Sequence, residues 1–97
     1  MDDQTMPVWL VTETRLRQRP TAVVFVSEKQ AREAFAAALV AESEGPDGLR
    51  GFRDEAGRQP DPRTSTEAHD GFGLWSLTMA EVPLVTADVD VEALLNA

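Results

Sequence analysis

The stretch Thr21–Glu44, TAVVFVSEKQAREAFAAALVAESE, constrains the fold of this chain more than any other. Val23, Val24, Phe25 and Val26 are β-branched or aromatic and suit a pleated, packed surface. Thr21–Val26 therefore reads as a strand. Both of its faces are apolar, which predicts an interior place in a sheet rather than an edge. Ser27 follows as a helix N-cap, with Gln30 three residues on as its capping-box partner. Ala31, Ala34, Phe35, Ala38 and Leu39 then recur at i, i+3, i+4, i+7 and i+8, one helical stripe. Glu28, Lys29, Arg32 and Glu33 take the polar side. Gly45-Pro46 predicts the stop, with Gly45 as a left-handed cap and Pro46 barring continuation.

Before this unit, Met1–Met6 reads as a flexible tail. PVWLVTET (7–14) alternates, with Val8, Leu10 and Thr12 on one face and Trp9, Val11 and Glu13 on the other. Two β runs joined by the polar RLRQRP (15–20) predict a hairpin. Arg15, Arg17 and Arg19 alternate at its tip and would share one side of an extended strand. After the unit, all six glycines lie between Gly45 and Gly73, along with Pro46, Pro60 and Pro62. The near absence of apolar residues at 53–70 predicts one long mobile loop, its ends packed down by Leu49, Phe52 and Phe72. LWSLTMAEV (74–82) is a further strand, with Trp75, Leu77 and Met79 on one face and Pro83 limiting its length. Asp88 or Asp90 would cap a short C-terminal helix, VEALLNA. The expected fold is α+β: one domain over 1–97, a small antiparallel sheet in the order β-β-α-loop-β, and one main helix on one face.

The 97 residues carry no cysteine and a net charge of −8. Without thiolates there is neither a disulfide framework nor a cysteine metal site. The acidity argues against direct nucleic-acid binding, which needs cations to displace counterions. No apolar run approaches membrane-span length, and MDDQTM is unlike a signal peptide. A cytoplasmic protein with no membrane partner is expected.

The motifs that carry chemistry elsewhere are incomplete here. His69-Asp70 offers the one histidine beside a carboxylate, without the further ligands of a metal-dependent His-Asp site. No glycine-framed serine elbow is present, and GPDGLRGF lacks the Gly-Lys-Ser/Thr of a phosphate loop. Asp88, Asp90 and Glu92 read as first-turn acids of the last helix. No catalytic, cofactor or metal residue is assigned, and the chain is expected not to be an enzyme.

The segments VWLVTE (8–13), VVFVSEKQA (23–31), Gly51-Phe52 and LWSLTMAEV (74–82) resemble small uncharacterised β-β-α-β proteins of bacteria and their phages. The resemblance spans about two-thirds of the chain. It implies that fold and a prokaryotic or phage setting, and no activity. The hydrophilic insert at 53–70 departs from the pattern.

One helix cannot cover both faces of such an apolar sheet, so the second face needs another cover. The expectation is a protein-binding module, a homodimer or half of a hetero-complex. Its contact residues would be Val8, Leu10, Val24 and Val26, with Trp9, Trp75, Arg15, Arg17 and Arg19. Two alternatives stand beside it. One is a phage-type inhibitor occupying a cationic site of a nucleic-acid-binding defence complex. The other is a small enzyme or ligand-binding domain with 45–73 as its lid.

Overall fold

The computed structural model describes residues 5–85. It holds one antiparallel five-stranded sheet and one main helix, in an α+β arrangement. The strands are β1 (Thr5–Arg15), β2 (Thr21–Phe25), β3 (Arg53–Asp54), β4 (Glu67–His69) and β5 (Trp75–Val85). The helix is α1 (Glu28–Ser43), followed by a 3-10 turn at Pro46–Gly51. Spatial order is β2-β1-β5-β4-β3, with β1 and β5 forming a long central pair.

The order corrects one expectation directly: among the described residues β2 is an edge strand, not an interior one. Its β-branched residues mark a surface fit for packing, but composition does not say whether this chain supplies the neighbour. β1 begins at Thr5, so Met6 belongs to the sheet rather than to a tail. β5 runs through Pro83 to Val85. Pro83 lies opposite Pro7, and the register makes this tolerable. The Leu16 N–H donates to the Leu74 carbonyl at 3.0 Å, which places hydrogen bonds between β1 and β5 at even-numbered β1 residues. Pro7 and Pro83 thus meet at a non-hydrogen-bonded pair, where no ladder donor is lost.

The Ser27 Oγ accepts from the Gln30 N–H at 3.3 Å and starts α1 as the sequence predicts. At the other end Glu44, not Gly45, takes the left-handed cap at φ 61°, and Gly45 follows at φ 118°. Ala31, Phe35 and Leu39 are fully buried against Val11, Leu77 and Met79. The stripe thus seats α1 on the odd-numbered side of β1 and β5. Gly48 is required by close approach, since a Cβ there would collide with the Ser43 carbonyl oxygen.

Where composition predicts one long loop, residues 53–70 form β3, β4 and a set of turns closed by carboxylates. Asp54 Oδ1 accepts from the Ala56 and Arg58 N–H groups at 2.8 and 2.9 Å. Glu55 Oε1 accepts from Thr66 and Glu67, and Asp61 Oδ1 from Arg63. The segment docks on α1 through Arg32, whose guanidinium donates to the Pro62 and Ser65 carbonyls at 3.2 and 2.5 Å and lies over the Phe35 ring. Pro60, Ser65 and Ala68 are buried beneath it. Leu49 also packs down and Phe52 does so in part, but Phe72 stays 80% exposed on the β4–β5 turn.

Candidate protein-contact surface

The two faces of the sheet are set by residue parity. Trp9, Val11, Phe25, Trp75, Leu77 and Met79 face α1, and the even-numbered residues of β1, β2 and β5 face the other way. No described helix or strand lies over that second face. It is graded along β1 and β5. One end is apolar, with Met6, Val8, Leu10, Val82 and Leu84; the other is hydroxylic, with Thr12, Thr14, Ser76 and Thr78. β2 adds Ala22 and Val24.

Exposure separates the residues expected here. Val24 is 55% exposed and Val26, just past the strand, 67%. Leu10 is half-buried, and Val8 is buried at 2%. Val24 and Val26 are therefore the accessible centre of the surface, with Leu10 at its border and Val8 buried. The tryptophans lie on the α1 side. Trp9 is half-buried against the core. Trp75 is 3% exposed, meets Phe52 edge-to-face at 5.5 Å, and donates its indole N–H to Glu13 Oε2 at 2.6 Å. Trp75 is a core residue in this structure, not a contact residue.

Of the hairpin arginines, Arg15 and Arg17 border one cleft and Arg19 does not line it. Arg15 is drawn to Glu42 at 2.6 Å and to Glu13 at 3.1 Å, tying β1 to α1. The Glu42 hydrogen bond holds its guanidinium even more firmly protonated than usual. Arg17 sits at φ 65° in the turn that ends β1, and Arg19 is exposed beyond it. Arg15 and Arg17 line an open cleft of about 410 Å³ with Gln18, His69 and Trp75, and exposed Leu16 and Leu74 share its wall.

His69 and Asp70 are committed to the β4–β5 turn. The His69 Nδ1 accepts from the Gly71 N–H at 3.1 Å. In that tautomer the ring carries its proton on Nε2. Asp70 Oδ1 accepts from the Phe72 and Leu74 N–H groups at 2.9 and 3.3 Å. Desolvation pushes this carboxyl up, but the backbone donors together outweigh it and hold it below the usual carboxylate range. Asp54 is lowered chiefly by the Arg58 N–H, and Asp61 chiefly by the Arg63 side chain. Several acids of this segment thus act as acceptors within their own turns.

Among the described residues no three His, Cys, Asp or Glu side chains converge as a cation site, and no helix is long and apolar enough to cross a membrane. Asp88, Asp90, Glu92 and the predicted C-terminal helix lie outside the described residues. No protein-family model, curated protein or solved structure matches this chain. Sequence reasoning missed Arg32, which it placed on the wet side of α1, and the turn-closing roles of Asp54, Glu55 and Asp61. The Asp-x-x-Gly spacing of Asp54 to Gly57 and the Asp61-Pro62 pair were the available signals.

Proposed function

We propose that this chain is a non-enzymatic protein-contact module that associates with a second copy of itself through the open side of its sheet. The observation that carries this reading is the adjacency of Val24 and Val26, both more than half exposed, to Leu10 on a face without a described cover. Isolated exposed apolar residues are ordinary; two exposed valines next to Leu10 form a small contiguous apolar patch. The commitment of His69 and Asp70 to backbone turns supports contact over chemistry. The net charge of −8 opposes self-association at long range, but Val23–Val26 carries no charge, so close approach there adds no like-charge pair. The test replaces Val24 and Val26 together by glutamate in the full chain. Light scattering should give twice the monomer mass for the wild type and the monomer mass for the variant, with unchanged far-UV circular dichroism. A wild type that stays monomeric contradicts the reading.

A further inference from the structure

The two edges of the sheet differ in kind. β3 is two residues long, Arg53 and Asp54, both charged, which is how natural sheets blunt an edge. β2 is five uncharged residues without an internal proline. Its backbone polarity follows from the register. Even-numbered residues of β1 direct their N–H and C=O groups at β5, so odd-numbered ones face β2. Trp9, Val11 and Glu13 are paired there with Phe25, Val23 and Thr21. The N–H and C=O groups of Ala22 and Val24 therefore point out of the sheet, away from β1.

From this we infer that β2 pairs antiparallel with β2 of a second copy about a two-fold axis at Val23, continuing the sheet from one chain into the next. The inference rests on the reading that the chain associates with itself, and it moves the primary contact from the plane of the open face to its rim. The register is self-complementary. Ala22 of each copy stands opposite Val24 of the other, and the four outward N–H groups meet the four outward carbonyls. A small residue faces a branched one on the open side. On the α1 side Val23 meets Val23 and Thr21 meets Phe25, beside an apolar groove lined by Ala34 and Ala38. The same register sets Arg19 opposite Ser27 of the second copy, next to Glu28, an opposite-charge contact at each end of the interface. Neither Arg19 nor Glu28 has an ion-pair partner among the described residues. Parallel pairing would instead leave these charges apart.

Ala22→Pro in the full chain tests the edge directly. It removes one outward N–H per copy while keeping the β1–β2 ladder and the apolar side chains of the open face. Association measured by sedimentation should weaken about a hundredfold, with the β1–β5 amides still protected from hydrogen exchange. In the wild type, the Ala22 and Val24 amides should be protected at high protein concentration and exchange freely on dilution, a readout that stands even if Ala22→Pro fails to fold. A wild type that dimerises while those two amides stay unprotected overturns the edge geometry and leaves the face contact standing. A wild type that is monomeric throughout overturns both.

Discussion

The two faces of this sheet both carry large apolar residues and meet different fates. On one side Phe35 and Leu39 of α1 press into Val11, Leu77 and Met79, and all five are buried. On the other, Val24 and Val26 stand in the open with Leu10 at their border. Polarity accounts for part of the difference, since Thr12, Thr14, Ser76 and Thr78 lie on the second face, and reach for the rest. α1 is a single helix of 16 residues, and its stripe of Ala31, Phe35 and Leu39 fits one face. The hydrophobic effect rewards apolar area removed from water regardless of which chain removes it. The face that α1 covers makes the fold; on the other face Val24 and Val26 stay accessible to a contact.

Substitutions should therefore separate stability from association. The largest effect is expected at the covered face: Phe35→Ala should cost about 3–5 kcal/mol in chemical denaturation, through lost burial and the cavity left behind. A loss below about 1 kcal/mol would mean that α1 does not anchor the fold. Trp75→Phe keeps the ring against Phe52 but removes the donor to Glu13 Oε2, and should cost about 1–2 kcal/mol. Arg32→Met keeps a long stem over Phe35 while releasing the Pro62 and Ser65 carbonyls. It should cost about 1 kcal/mol and speed amide exchange chiefly within 58–66.

Acid sharpens the comparison without touching either apolar face. Asp54, Asp61 and Asp70 are held below their ordinary range, so their contribution is complete above the unfolded value near 4 and is lost as pH falls through the lower folded values. The protection factors of the Ala56, Arg58, Arg63 and Phe72 amides, taken against their intrinsic exchange rates, should fall selectively below about pH 4 and stay flat between pH 5 and 8. Uniform loss of protection across β1 and β5 at the same pH would show that these turns are not a separate unit. The smallest effect on folding is expected at the open face. Val24→Thr should change monomer stability by no more than about 0.5 kcal/mol while weakening association.

How far the fold was legible follows the same division. Ser27, the Ala31–Phe35–Leu39 stripe and the Trp75–Leu77–Met79 alternation were readable because each signal is local and its period fixes a face. The edge position of β2 was not, since Val23–Val26 looks the same whether its neighbour is intra- or intermolecular. Nor were β3 and β4, because two- and three-residue strands carry no period and were hidden in polar composition. Glu44 took the left-handed cap one residue ahead of Gly45, an offset that composition does not specify. Of the expected contact residues, Val24, Val26 and Leu10 remain on the open face. Val8 and Trp75 are buried, and Arg15 is held by Glu42, because burial and pairing depend on contacts distant in sequence.

The decisive question is whether a second copy uses the open side of the sheet. Sedimentation equilibrium of the full chain over a wide concentration range measures this most directly. A reversible monomer–dimer equilibrium that Val24→Glu shifts to monomer is expected. A single monomeric species at every concentration would contradict it.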